Sequence, residues 1–201
     1  VASIDMLPDH LGKAFVAIED RRFYQHNGID FYGMLRAGWT FLESRGESAQ
    51  GASTITQQLL KNTVFTEWTS EGKNFIKKIK RKLQEQYLAQ EISKYYEKDD
   101  ILLCYMNAIN LGQNTLGVEA AAQRYFGKSA SNLTLSESAV IASITQNPYR
   151  LNPISFPEQN AGRRLKFLNI MLELDFIDQA QYDEAIADSD AVYERIALHD
   201  S

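Results

Sequence analysis

The sequence has little of several features that would restrict its class at once. One cysteine, Cys104, occurs in 201 residues, so no disulfide can form within the chain. No run of about 18 apolar residues is present, so no segment predicts a membrane-spanning helix. Acidic residues outnumber basic ones by 26 to 21, for a net charge of −5. This balance argues against nucleic acid as the main partner.

The single thiol is more typical of a small buried apolar residue than of a nucleophile. A catalytic thiol needs a histidine beside it, and none of the three histidines stands in a visible pairing with Cys104. Only four prolines occur, and three of them cluster at Pro148, Pro153 and Pro157. This cluster predicts an irregular segment between two helices.

Helical periodicity dominates the sequence, and strand patterns are nearly absent. Apolar residues recur at helical spacing up to Ile18 and again from Met34 to Leu42. Further helices are predicted near 53–60, 71–96, 99–107, 118–124, 136–145, 161–174 and 177–187. Polar or glycine-bearing segments at 43–50 and 66–73 are predicted to be mobile loops. The pattern therefore predicts one mainly α-helical domain over residues 1–201.

The predicted helix over 71–96 has two stripes on opposite sides. At about 100° per residue, the apolar stripe consists of Ile76, Ile79, Leu83 and Tyr87. The charged stripe consists of Lys77, Arg81 and Glu85. We expect the helix to bury the apolar stripe and to present the charged one. On helix physics alone, the charged stripe is a solvated face with ordinary pairs one turn apart.

Five segments carry short motifs. The first, over 19–28, reads EDRRFYQHNG, and the second, over 51–58, reads GASTITQQ and is followed by Lys61 and Asn62. The third, over 81–85, reads RKLQE and has Ala89 four residues on. The fourth spans 98–128, and a looser fifth spans 135–153. Any one of these could arise by chance, but five in order could hardly do so.

Together these motifs resemble the signatures of the peptidoglycan glycosyltransferases, over roughly residues 7–175. Members occur as monofunctional enzymes and as the N-terminal module of class A penicillin-binding proteins. The resemblance implies a mainly α, lysozyme-like helical fold with a smaller membrane-facing lobe, expected at about 30–75. It also implies polymerisation of lipid II into β-1,4-linked glycan strands, with inversion and release of undecaprenyl pyrophosphate.

The resemblance assigns catalysis to two glutamates. Glu19 would be the general base for the 4-hydroxyl of the acceptor lipid II, because a sugar hydroxyl is a poor nucleophile at neutral pH. Glu85 would orient Arg81 or organise the pyrophosphate site. No cofactor is expected to be obligatory, and a divalent cation (Mg²⁺ or Mn²⁺) held at Glu85 stays an open alternative. Taken without the motifs, Glu19 is more typical of a solvated helix end than of a catalytic base.

The departing pyrophosphate needs positive charge placed where negative charge develops. The resemblance assigns this role to Lys61 and Arg81, with Lys77 as a third candidate. Arginine grips phosphate with two bonds, whereas lysine acts as a point charge. The remaining expected substrate-binding residues are Asp20, Phe23, Ser53, Thr54, Gln57, Gln58 and Asn62. Among these and their neighbours, Asp20 is expected to pair with a base, Phe23 to pack beneath the site and His26 to be structural.

The resemblance also implies partners and a location. The expected partners are lipid II, the growing glycan chain, the membrane interface, moenomycin-type inhibitors and a C-terminal transpeptidase domain, with no nucleic acid. Residues 188–201 would be the linker toward that domain. The location would be the outer face of the bacterial cytoplasmic membrane, with an N-terminal transmembrane anchor upstream of Val1. Trp39, Phe41 and Leu42 would lie at the interface, unless the segment is plain core.

Several points stay open at this stage. A lysozyme-type glycan-cleaving enzyme also uses a single glutamate, but it has no need of the cations at Lys61 and Arg81. An inactive lipid II-binding scaffold is a third hypothesis, and retention of both glutamates argues against it. Lys128 is either a solvated lysine or a phosphate contact. The chain departs from the family pattern near 66–74, where an insertion is expected.

Overall fold

The computed structural model describes residues 1–43, 51, 53–65 and 75–201, and these residues are mainly α-helical. The helices are α1 (Asp9–Glu19), α2 (Phe31–Glu43), α3 (Ile55–Thr63), α4 (Phe75–Tyr95), α5 (Lys98–Ala108), α6 (Val118–Phe126), α7 (Leu135–Ala142), α8 (Pro157–Glu173), α9 (Gln179–Ala187) and α10 (Ala191–Asp200). Short 3₁₀ turns lie at Ile4–Met6 and Ala130–Asn132. Within these ranges there is no strand, only an isolated bridge between Asn110 and Leu116. The mainly α prediction is confirmed.

The chain divides into two compact units. The first consists of Val1–Ile18 with Met106–Ser201, and the second of Glu19–Tyr105. Every residue predicted for the site, from Glu19 to Glu85, lies in the second unit. The predicted lobe at 30–75 falls inside this unit, and its membrane-facing character stays a prediction. The predicted loop at 66–73, the insertion near 66–74 and all but the first residue of the loop at 43–50 lie outside the described residues.

The second unit has a small core where α3 packs against α4. Leu60, Phe65 and Ala89 are buried there, with Leu88 and Ile92 packed against them. Helix α3 begins where the sequence predicts it, because Thr54 caps its first turn and closes a reciprocal capping box with Gln57. Such a box satisfies two backbone N–H groups that a helix end would otherwise leave open.

Helix α4 is oriented opposite to the prediction. The apolar stripe is exposed: Ile76 is 75%, Ile79 45%, Leu83 60% and Tyr87 63% accessible. Glu85, from the charged stripe, is only 6% accessible. The angular analysis separated the two faces correctly but assigned the wrong one to the interior. A carboxylate tolerates burial when it is paired, and Glu85 has a lysine partner described below.

Helix α2 also exposes apolar side chains, so the alternative of plain core is wrong for it. Its accessible residues are Phe31, Tyr32, Leu35, Trp39 and Leu42, each between 63% and 75%. The side chain of Phe41 lies outside the described part of the molecule. One contact between α2 and α4 joins the Gln86 amide to the Met34 sulfur at 3.9 Å. The second unit therefore has two helices with apolar side chains facing outward.

In the first unit, a core cluster forms around α7 and α10. Val140, Val192 and Ile196 are buried, and Phe126, Ile154 and Tyr193 pack against them. Residues 188–201 contain α10 (Ala191–Asp200), which inserts two residues into this core. That the segment leads toward a transpeptidase domain stays a prediction. The segment between α7 and α8 is irregular and Pro157 begins α8, as the proline cluster predicts.

Two residues differ from their expected roles. Cys104 is exposed, so the expectation of a buried apolar thiol is wrong; it lies on the outward side of α5. Lys128 is ion-paired rather than freely solvated, because its ammonium lies 2.6 Å from the buried carboxylate of Glu137. A phosphate contact for Lys128 stays untested. The helix before it, α6, ends at Phe126 and is followed by Gly127 in the left-handed conformation at φ +64°.

Candidate active site

Glu19 is the last residue of α1, and its side chain is half-buried. The amide nitrogen of Gln58, on α3, donates to Glu19 Oε2 at 2.8 Å. The same nitrogen lies 3.5 Å from the carbonyl oxygen of Ser53. The other end of the amide, Oε1, lies 3.4 Å from the hydroxyl of Tyr105, which donates to it. The structure thus brings together a carboxylate, an amide and a phenol.

Asp20 joins the segment after α1 to the start of α3. Its carboxylate accepts from His26 Nε2 at 2.9 and 2.8 Å, one distance to each oxygen. It also accepts from the backbone N–H of Ile55, the first residue of α3, at 3.1 Å. Asp20 and His26 are both buried. Asp20 therefore pairs with a base as expected, and this pair fixes the two chain segments that carry Glu19 and Gln58.

Phe23 is fully buried beside this pair. Its ring lies edge-on to Tyr24 and His26, with centroids 5.1 and 6.3 Å apart. The ammonium of Lys98 lies 4.5 Å from the centre of the Phe23 ring, within cation–π range. Burial lowers the pKa of the Lys98 ammonium, and the Asp20 carboxylate partly offsets this. These contacts agree with a packing role for Phe23.

Thr54 and Gln57 are used to build the start of α3. The Thr54 oxygen accepts from the Gln57 N–H at 3.2 Å, and the Gln57 side-chain oxygen accepts from the Thr54 N–H at 2.9 Å. The Thr54 hydroxyl donates to the carbonyl of Gly28 at 2.7 Å. Both side chains are at least 98% buried. This geometry favours a structural role for both over the predicted contact with substrate.

The backbone at position 28 requires a glycine. It has φ +85°, and a Cβ atom there would lie 2.2 Å from the carbonyl oxygen of Ala89 on α4. Any side chain would force the two segments apart. The glycine that ends the first motif therefore allows close approach to α4, the helix that carries Arg81 and Glu85.

Glu85 has a partner that the sequence analysis missed. The Lys82 ammonium lies 2.5 Å from Glu85 Oε1, three residues along α4, and it donates to the Ser53 hydroxyl oxygen at 2.9 Å. Lys82 lies within the RKLQE motif, three residues before Glu85. That spacing on a helix could have predicted the ion pair. The structure therefore gathers Ser53, Lys82 and Glu85 into one cluster, here called the Glu85 cluster.

A divalent cation does not fit the Glu85 cluster. The Glu85 carboxylate is already neutralised by Lys82. Over 1–43, 51, 53–65 and 75–201, no three acidic, histidine or cysteine side chains group closely enough to hold a metal ion. The alternative of Mg²⁺ or Mn²⁺ at Glu85 therefore finds no ligand set in these residues.

The other predicted cations lie on the same two helices. Lys61 and Asn62 are exposed in the last turn of α3. On α4, Lys77 is exposed in the first turn and Arg81 is half-buried one turn later. Since α3 and α4 pack against each other, these side chains belong to one local structure. That they bind a single anionic ligand stays a prediction.

Comparison with known proteins gives consistent results. A family model described as Transglycosylase matches residues 1–172. Penicillin-binding protein 1A of Clostridium botulinum (strain Langeland) is 43% identical over 193 residues, covering 92% of this chain and 22% of the relative. Penicillin-binding protein 1A of Escherichia coli (strain K12) is 42% identical over 182 residues, covering 90% and 20%. The chain spans about a fifth of the length of these relatives.

One solved structure also resembles the chain in part. The crystal structure of penicillin-binding protein 1A from Haemophilus influenzae, at 2.6 Å resolution, is 31% identical in sequence. The match covers 65% of this chain and 15% of that chain, with a TM-score of 0.40.

Proposed function

The chain belongs to the transglycosylase family, and from this premise we propose that it is a peptidoglycan glycosyltransferase that polymerises lipid II into β-1,4-linked glycan strands. The observation that carries the proposal is the half-buried Glu19 carboxylate, held by the Gln58 amide at 2.8 Å. It lies in the same unit as the Glu85 cluster and the predicted cations. A base and an anion-binding region in one unit suit a transfer from a lipid pyrophosphate.

Glu19 acts on the acceptor. It accepts the proton of the acceptor 4-hydroxyl as that oxygen attacks the anomeric carbon of the growing chain. The new carbon–oxygen bond forms while the bond to the pyrophosphate oxygen breaks, and the electron pair leaves with undecaprenyl pyrophosphate. A single displacement of an α-linked pyrophosphate inverts the anomeric centre and yields a β-linkage. No covalent intermediate with the protein is needed.

Cations on α3 and α4 act on the leaving group. Lys61 and Arg81 stabilise the charge that develops on the departing pyrophosphate, with Lys77 as a further contact. Within the Glu85 cluster, Lys82 holds Glu85 and Ser53 in fixed positions. By analogy with oxyanion donors, losing one such contact costs about 2.7–4 kcal/mol of barrier.

The outward apolar side chains support contact with a membrane surface. On α2, Trp39 and Leu42 are 66% and 73% accessible, and on α4 the stripe from Ile76 to Tyr87 is exposed. Lys77 and Lys80 stand beside that stripe in sequence, and apolar residues flanked by lysine suit an anionic lipid interface. None of the helices in the described ranges is apolar over a length that could cross a bilayer.

The wider setting of the chain is part of the same proposal. We place its action at the outer face of the cytoplasmic membrane, where lipid II and the growing glycan are its substrates. A parent chain with an N-terminal anchor and a C-terminal transpeptidase domain accords with the fifth of each relative that this chain covers. Moenomycin-type inhibitors are expected to compete at the pyrophosphate region.

The test is a polymerisation assay on the full-length protein with labelled lipid II, with the product resolved by gel electrophoresis. We expect Glu19→Gln to lower the rate by about 10²–10⁴-fold, the usual contribution of a general base, while lipid II binding persists. The matched control is Glu184→Gln, an exposed glutamate on α9, which should keep the wild-type rate.

The other hypotheses give distinct results in the same assay. Shortening of intact glycan, with no polymer from lipid II, would identify the lysozyme-type enzyme. Binding of lipid II without turnover by the wild-type protein would identify the scaffold. A Glu19→Gln protein as fast as wild type would refute the base assignment.

A further inference from the structure

We propose that Tyr105 is a positioning residue for the base: its hydroxyl sets the orientation of the Gln58 amide, and the amide sets the position of the Glu19 carboxylate. The inference rests on the proposed function, because it treats Glu19 as the base. The three residues, here called the Tyr105 relay, come from α5, α3 and α1, and all lie in the second unit.

The amide of Gln58 has two different ends, and the relay uses both. The nitrogen end donates to Glu19 Oε2 at 2.8 Å and approaches the Ser53 carbonyl at 3.5 Å. The oxygen end faces the Tyr105 hydroxyl at 3.4 Å. Rotating the amide by half a turn would place its oxygen against the carboxylate, where two acceptors repel each other. The Tyr105 hydroxyl therefore adds a hydrogen bond at the oxygen end to the orientation that Glu19 and the Ser53 carbonyl favour at the nitrogen end.

Tyr105 is suited to be that donor. Its side chain is fully buried, and it stands on the inward side of α5 with Ile101 and Leu102. Burial raises the pKa of the Tyr105 hydroxyl well above its usual value, and the nearby Glu19 carboxylate raises it further. The hydroxyl therefore stays protonated at neutral pH and can donate. A rigid ring on a helix also places the donor more firmly than a loop side chain would.

The first experiment is a double-mutant cycle on the full-length protein with lipid II as substrate. Tyr105→Phe removes one oxygen, and we expect kcat to fall by about three- to tenfold, the size of one neutral hydrogen bond, with KM within about twofold. Gln58→Ala should lower kcat more. If Tyr105 acts through Gln58 as proposed, adding Tyr105→Phe to Gln58→Ala should change nothing further.

A matched control is available in the first unit. Tyr125 is also fully buried, and its hydroxyl donates to the Leu111 carbonyl at 2.7 Å. Tyr125→Phe should lower the thermal midpoint and leave kcat unchanged. If Tyr105→Phe lowers kcat by the same factor with and without Gln58, the residue acts by packing and the relay is overturned. Equal kcat effects of Tyr105→Phe and Tyr125→Phe would overturn it as well.

A second readout does not depend on activity. In the wild-type protein, the buried Tyr105 hydroxyl proton should be protected from solvent exchange and show a nuclear Overhauser contact to the Gln58 side chain. In Tyr105→Phe, the Gln58 side-chain amide protons should exchange faster. Absence of the contact overturns the relay even if lipid II is polymerised. Its presence in a protein that makes no polymer keeps the relay and rejects the proposed function.

Discussion

Two glutamates, one in each unit, are both buried and both paired with a lysine, but we propose different roles for them. Glu85 in the second unit is 6% accessible and pairs with Lys82 at 2.5 Å. Glu137 in the first unit is 1% accessible and pairs with Lys128 at 2.6 Å. Glu137 also closes the capping box of α7, accepting the Thr134 N–H at 2.9 Å. Burial and an ion pair, taken alone, do not distinguish a site from a structural clamp.

The two glutamates differ in the further contacts that their partner residues make. Around Glu137, Arg195 adds a second cation at 3.4 Å, and Arg195 in turn grips Asp188 with two bonds at 2.8 and 2.7 Å. These links tie α7 to α10. Lys82 instead reaches from Glu85 to Ser53, in the segment that begins the second motif. The first network ties helices of the first unit together. The second reaches Ser53, whose carbonyl oxygen lies 3.5 Å from the Gln58 amide that holds Glu19.

The largest expected effect comes from removing the charge at each glutamate in turn. Glu85→Gln should lower lipid II polymerisation by about 10²–10³-fold, the range for one electrostatic contact, with a small change in thermal midpoint. Glu137→Gln should leave kcat near wild type and destabilise the protein by about 1–3 kcal/mol, since Lys128 and Arg195 lose their partner. Polymerisation assays and denaturant unfolding of both variants check this. The opposite pattern would remove the distinction between the two networks.

A second pair of variants compares the outward face of α4 with the inward face of α10. Ile196→Ala should cost about 2–5 kcal/mol of unfolding free energy, because Ile196 is 2% accessible and lies in the core. Leu83→Ala should stay within about 0.5 kcal/mol, because Leu83 is 60% accessible. The same Leu83 variant should bind anionic lipid vesicles more weakly than wild type. Equal binding would leave the exposed stripe without the proposed partner.

The smallest expected effect concerns acid. The hydrogen bonds from Arg195 hold the pKa of the Asp188 carboxyl below its usual value, although burial works against this. A group with a lowered folded-state pKa stabilises the fold above its unfolded-state pKa, and this stability is lost as pH falls through the folded-state value. The thermal midpoint should therefore decline below about pH 4, and Asp188→Asn should reduce that decline. An unchanged decline in the variant would assign the effect to other carboxylates.

The sequence predicted the helices well because apolar periodicity and capping residues act locally. Thr54 begins α3 and Gly127 ends α6 for reasons that a few neighbouring residues contain. The motif order also located the residues that the structure gathers around Glu19. These features need no knowledge of which elements pack together.

The errors came from decisions that depend on packing. The prediction assigned the wrong face of α4 to the interior. Hydrophobicity alone favours burial of isoleucine over glutamate, and the ion pair of Glu85 with Lys82 was not recognised. Helix α10, within 188–201, was not predicted. The core that receives Val192 and Ile196 is formed with α7 and its neighbours, which are distant in sequence. Cys104 lies on the exposed side of α5, which a short helix of mixed polarity does not reveal. The contact of Tyr105 with Gln58 was not predicted, because the two residues lie 47 positions apart in sequence.

The position of α4 depends on the absence of a side chain at Gly28. A single methyl group at this position would overlap the Ala89 carbonyl, and α4 would have to move outward to make room. Lys82 and Glu85, which lie on α4, would then shift relative to Glu19. If Glu19 and the Glu85 cluster serve the acceptor and the pyrophosphate as proposed, the distance between these two groups depends on the absence of a Cβ atom at Gly28. We then expect Gly28→Ala to lower polymerisation without removing any reactive group.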